Sequence, residues 1–141
     1  MVTKLQVPLL HQVQRQVQHQ DHPGDVQAEV LGTDTTGNTA AYNCSFKSHQ
    51  DTIRTAGKAW FYNCYVEGDV DFLWMESGGK VALYEECEIV SVYDDAASTH
   101  NTYITAPRMA ESVKVGKGLV IYNSVVRESE QQVQQFHQMI M

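Results

Sequence analysis

Residues 42–74 read "YNCSFKSHQDTIRTAGKAWFYNCYVEGDVDFLW", and the phrase Tyr-Asn-Cys occurs in them twice, at 42–44 and again at 62–64. Working outward, the first copy belongs to "AAYNCSFKS" from Ala40 and the second to "WFYNCYVEG" from Trp60. Two further units follow, "ALYEECEIVS" from Ala82 and "VIYNSVVRE" from Val120. Each unit alternates aromatic or branched residues with polar ones, which is the period of a half-buried strand and not of a helix. The cysteine slot recurs at near-equal intervals, at Cys44, Cys64 and Cys87, and Ser124 takes the same slot after a longer gap. A short repeat of this kind, built from strands and turn residues, predicts an all-β parallel β-helix in which each repeat is one rung. The extra residues of the last interval are polar and loop-like, except for a strand candidate at "NTYITA" from Asn101. An antiparallel sandwich would need closely and regularly spaced hairpin turns and leaves the register of the cysteines unexplained.

Equivalent residues of neighbouring rungs stack about 4.8 Å apart. Cys44, Cys64, Cys87 and Ser124 are therefore expected as an inward ladder of small side chains, since a buried free cysteine packs as a small hydrophobe. A disulfide between rungs and a row of free thiols are both open. The three cysteines show no zinc-type spacing.

The chain has 141 residues, enough for one domain, and a formal net charge of −7. That balance argues against nucleic acid and against an anionic membrane surface, both of which call for clustered Lys and Arg. No apolar run is long enough to cross a bilayer, so no membrane span is expected. Residues 1–26 and 129–141 are Gln-rich and read as low-order ends flanking a core at 27–128. His11, His19 and His22 lie in the first of these without the partners of a metal site. The opening residues fall short of a secretory apolar region, so the expectation is an intracellular chain or a start that lies upstream.

The repeat also brings two acids together. Asp51 lies seven residues after Cys44, and Asp71 lies seven after Cys64. Equal offsets mean equal places on neighbouring rungs, so the carboxylates are expected to be close in space. Asp is common in turns, and turn residues are one reading of the pair. The other is chemical: adjacent carboxylates push one pKa up, leaving one protonated acid beside one ionised nucleophile or base. Asp94 is seven after Cys87, but there the register breaks and it reads as a loop residue.

The stretch "YNCSFKSHQDTI", with "FYNCYVEGDVDFLW" and "ALYEECEI" after it, resembles the pectin methylesterase (pectinesterase) family, carbohydrate esterases built on a right-handed parallel β-helix. Gln50-Asp51-Thr52-Ile53 is similar to the family's Gln-Asp-Thr-Leu motif, and Asp71-Phe72-Leu73-Trp74-Met75 to its Asp-Phe-Ile-Phe-Gly. "YITAPR" from Tyr103 looks like its Ile-Thr-Ala segment, and "QAEVL" from Gln27 like its Gln-Ala-Val-Ala-Leu. The resemblance implies hydrolysis of methyl esters on galacturonate units of pectin, with methanol released. Asp71 would be the nucleophile, Asp51 the general acid and then base, and Gln50 and Gln27 oxyanion donors. Trp74 stands where the family has Phe, and both core packing and stacking on a sugar of the methylesterified homogalacturonan are open to it. No metal or other cofactor is implied. The resemblance places the protein outside the cell or in the cell wall.

Three further departures accompany it. Met75 stands where the family has Gly, and a bulky side chain there is expected to cost stability or to fill the cleft. The family's Leu-Gly-Arg-Pro-Trp segment is absent, and neither Arg54 nor Arg108 matches it. The family's Gly-x-Tyr-x-Glu coil is absent as well, so the chain reads as central coils cut at both sides. Exposed coil ends would then offer edges for self-association. The alternative to an esterase is an inactive β-helix fragment that binds polysaccharide or a partner chain.

Overall fold

The computed structural model describes residues 29–76, 80–92, 102–108 and 116–130. Gln27, Asp94, residues 1–26 and most of 129–141 lie outside the described residues. Among the described residues twelve strands follow one another: β1 Leu31–Gly32, β2 Asn38–Tyr42, β3 Ser45–Lys47, β4 Ile53–Thr55, β5 Lys58–Tyr62, β6 Tyr65–Gly68, β7 Val70–Met75, β8 Val81–Glu85, β9 Glu88–Ser91, β10 Tyr103–Pro107, β11 Gly118–Tyr122 and β12 Val125–Glu128. Every third strand pairs in parallel, which gives sheet A (β1-β4-β7-β10), sheet B (β2-β5-β8-β11) and sheet C (β3-β6-β9-β12). Three strands in sequence make one rung, four rungs make the stack, and the architecture is a parallel β-helix. The "NTYITA" candidate is β10, the sheet A strand of the last rung.

Register follows the repeat. The interval from Cys44 to Cys64 reappears between Cα partners in all three sheets: Ile53 with Leu73, Asn38 with Lys58, Ser45 with Tyr65. Inward rows run along the axis, such as Leu31, Ile53 and Leu73 in sheet A and Phe46, Val66, Ile89 and Val126 in sheet C. The alternating strand pattern puts these side chains out of water: Ile53, Leu73, Val66 and Ile89 are fully buried. Phe61 stacks on Tyr84 of the next rung with ring centroids 4.6 Å apart and meets Phe46 edge-on at 6.0 Å. Each such ring pair contributes about 0.5–1.5 kcal/mol beyond its burial. The last rung differs, because its inward Ile121 and Val126 remain exposed among the described residues.

The corner between sheets B and C is the same in every rung. Asn43, Asn63, Glu86 and Asn123 all have positive φ, between 48° and 55°. Asparagine tolerates this left-handed conformation better than most side chains, which explains its recurrence. Asn63 also donates its amide to Asn43 Oδ1 at 2.7 Å. The next residue is the ladder: Cys64 and Cys87 are buried, Cys44 is half-buried, and all three are free thiols. Their Sγ atoms point at backbone carbonyls, Cys64 to Tyr62 O and Cys87 to Glu85 O, while Ser124 Oγ accepts from Cys87 N at 2.9 Å. The hydrogen bond with Cys87, together with burial, pushes the Cys64 thiol far above ordinary cysteine. Small residues with one polar atom are what this crowded, carbonyl-lined row accepts.

Candidate active site

The corner between sheets C and A is built differently, and it carries the acids. Gln50 bridges Val70, and Asp51 N donates to Val70 O at 3.1 Å. One step on, Asp51 and Asp71 share a level on adjacent rungs. Both have φ of 51°, so each chain turns sharply as it enters its sheet A strand. A polar, short side chain is the residue type that enters this region outside glycine.

Glycine governs what packs beneath. A Cβ on Gly68 would lie 2.2 Å from Phe72 Cβ and 2.8 Å from Thr52 Oγ1. Phe72 follows Asp71 in sequence and Thr52 follows Asp51, so the bare Gly68 lets both neighbours close in under the carboxylates. Phe72 and Thr52 are fully buried, and Thr52 Oγ1 donates to Glu67 O at 3.0 Å. Both aspartates are thereby fixed from below through adjacent buried residues.

The two environments are unequal. Asp51 is only 6% exposed, whereas Asp71 is half-buried. Burial, then the Asp71 carboxylate, then Glu29 push Asp51 above the ordinary carboxylate value of 3.8. Desolvation and like charge both disfavour its ionised form. Asp51 is thus disposed to hold a proton beside a more open carboxyl group. That is the division of labour acyl transfer needs from two residues of one type.

Gln50 is exposed at the same corner, and Trp74 is half-buried on the outer face of sheet A. Trp74 pairs in register with Arg54 and with Ala106. Met75 points the other way and is fully buried. Its side chain therefore fills core beside Thr55 and leaves the outer face of sheet A open, contrary to the cleft-filling expectation. Arg54 lies on that outer face, where Nε donates to Glu29 Oε1 at 2.6 Å and Nη1 sits 3.4 Å from Glu76 Oε1. Sequence reasoning does not find Glu29 or this ion-pair group. Strand β1 is two residues long and has no Tyr-Asn-Cys phrase before it, so nothing in the letters marks the first rung's register. Among the described residues, no group of three His, Cys, Asp or Glu side chains is arranged to hold a metal ion.

Stacked parallel coils with a carboxylate pair at one corner define a β-helix protein with the makings of an acid/nucleophile site. The family model for pectinesterase matches residues 12–140, and the chain belongs to that family. Over 52 residues it is 44% identical to probable pectinesterase A of Aspergillus fumigatus, which covers 36% of this chain and 15% of that relative. Over 56 residues it is 43% identical to pectinesterase 31 of Arabidopsis thaliana, 39% of this chain and 17% of the relative. Among solved structures it is similar to pectin methylesterase PemA from Erwinia chrysanthemi, with a TM-score of 0.54, 32% identity, and coverage of 68% of this chain and 28% of that one. A mutant pectin methylesterase in complex with a hexasaccharide matches with a TM-score of 0.57 and 30% identity over 70% of this chain and 29% of the other. The chain thus spans less than a third of the length of these relatives.

Proposed function

We propose that the chain forms the catalytic coils of a pectin methylesterase, hydrolysing methyl esters of galacturonate units and releasing methanol. The observation that carries this reading is the placement of Asp51 and Asp71 at one level of adjacent rungs, with Asp51 buried and biased toward its protonated form. The ionised Asp71 carboxylate attacks the ester carbonyl carbon, and the carbonyl oxygen takes the negative charge. Gln50, with Gln27 as second donor, stabilises that oxyanion through side-chain N–H groups. The C–O bond to the methoxy group breaks as Asp51 gives it a proton, methanol leaves, and an acyl-Asp71 anhydride remains. Asp51, now ionised, takes a proton from water, and the resulting hydroxide attacks the anhydride to release free galacturonate and restore both carboxyl groups.

Trp74 would offer one face to a sugar ring from the outer face of sheet A, and Met75 in the core leaves that face clear. The complexes of family members with hexasaccharides support a polysaccharide substrate. Pectin as substrate places the working protein in the cell wall or outside the cell. The test is methanol release from methylesterified pectin by the chain and by Asp71→Asn. Release by the parent and a fall of several orders of magnitude in the variant are expected; equal release by both removes Asp71 from the mechanism. Binding of oligogalacturonate without methanol release by the parent would instead identify a polysaccharide-binding coil.

A further inference from the structure

We propose that Glu29 is a positioning residue of this site: the first-rung acid that backbone register sets level with Asp51 and Asp71, anchored by Arg54 and acting on the chemistry through Asp51. This rests on the reading of Asp51 as the proton donor.

The geometry comes from register. Leu31 pairs with Ile53, and Val30 N donates to Thr52 O, so counting back sets Glu29 level with Asp51. In backbone level Asp51 then lies between Glu29 of the first rung and Asp71 of the third, with rungs about 4.8 Å apart, while the Glu29 carboxylate reaches along the face to Arg54. Glu29 is held in place by the 2.6 Å bond from Arg54 Nε. A Cβ on Gly32 would stand 2.7 Å from Arg54 Nη2 and 2.9 Å from Glu29 Oε2, so the ion pair sits directly over the bare glycine.

Arg54 does not cancel the effect, because its one positive charge is divided between Glu29 and Glu76. Glu29 lies on the first-rung side of Arg54, and Glu76, after β7, on the third-rung side, so one guanidinium serves two carboxylates and neutralises neither in full. His49 and Asp69 share the corner, tied to it through the bonds from Asp69 N and Val70 N to His49 O. The charges that bear on Asp51 are those of Asp71 and Glu29, added to its burial. A negative neighbour favours the neutral carboxyl, and a neutral carboxyl is what departing methoxide requires.

The test is an NMR titration of the Asp51 side-chain carboxyl in the full 141-residue chain, which needs no turnover. Parent, Glu29→Gln, Glu29→Asp and Asp71→Asn are compared. The expected result is a lower Asp51 midpoint in Glu29→Gln, the parent value largely restored in Glu29→Asp, and a lower midpoint in Asp71→Asn. If Asp71→Asn moves Asp51 and Glu29→Gln does not, Glu29 has no such role and the carboxylate pair stands without it. If neither moves it, the pair itself is not coupled and the proposal falls with it. In methanol release, Glu29→Gln should draw the alkaline limb of the pH profile to lower pH, and an unmoved limb counts against the role.

Discussion

Gly68→Ala probes the link between packing and chemistry most directly. The added methyl would sit 2.2 Å from Phe72 Cβ, 2.5 Å from Phe72 Cγ and 2.8 Å from Thr52 Oγ1. None of these is the free end of a flexible side chain, and both residues are fully buried, so the clash is met by moving β7 against β4. Overpacking of this severity costs about 3 kcal/mol, at the upper end of the usual range. Alanine recovers about 0.7 kcal/mol by restricting the unfolded chain, leaving a net loss of about 2 kcal/mol. With a urea m-value of about 2 kcal/mol/M, the unfolding midpoint falls by about 1 M. The same shift displaces the residues next to Asp51 and Asp71, and a displacement of about 1 Å costs about 100-fold in rate. Gly37→Ala is the control, since its Cβ meets only Asp34 Cβ at an ordinary 3.9 Å. Urea unfolding followed by far-ultraviolet circular dichroism, with methanol release below the transition, reads both effects. A Gly68→Ala midpoint matching that of Gly37→Ala would refute the close packing on which the site geometry depends.

The corner between sheets B and C gives a second pair of variants. Asn63→Ala loses the bond to Asn43 and strains a φ of 50°, for about 2 kcal/mol in urea unfolding, whereas Asn63→Gly keeps the backbone and loses about half as much. Equal losses would show that the left-handed turn is not what asparagine supplies. Asp51 sets a pH dependence whose sign is fixed by its raised folded value: the fold is not penalised below the ordinary 3.8 and loses stability as pH rises from there through the higher folded value. Asp51→Asn should therefore unfold at higher urea than the parent at pH 7 and at nearly the same urea at pH 3; a gain that is equal at both pH values contradicts this. Phe61→Ala should cost about 3–5 kcal/mol, because a fully buried ring stacked on Tyr84 leaves a cavity that the rigid rungs cannot close. A loss well under that range in urea unfolding would mean that the neighbouring rungs collapse into the space.

Much of this is legible in the letters because a stacked fold writes its register into their spacing. Tyr-Asn-Cys at 42–44 and 62–64 marks one corner, and from it the level of Asp51 and Asp71 follows by counting. The same rule puts Phe46, Val66 and Ile89 on one inward row. Glu29 escapes it because its rung has no such phrase, and the interval from Glu29 to Asp51 is longer than the one from Asp51 to Asp71. At Met75, side-chain size alone misleads. Its orientation is set by strand alternation in β7, where Leu73 and Met75 face the core and Trp74 faces out. Ion pairs such as Arg54 with Glu29 and Glu76 join residues of different rungs on a solvated face, where no hydrophobic period records who meets whom.

The corner of left-handed asparagines separates two kinds of tolerance in this coil. The step from the first residue of each sheet B strand to the first of the following sheet C strand is the same in every rung: 38 to 45, 58 to 65, 81 to 88 and 118 to 125. Length varies only at the other two corners, and one of these presents Asp51 and Asp71. The constant corner acts as a pitch-setting clip, so segments grafted at the variable corners would lengthen the rim around the carboxylates without changing the rise of the stack. A designer wishing to reshape what this surface grips would leave the clip alone and cut at the loops on either side of sheet A.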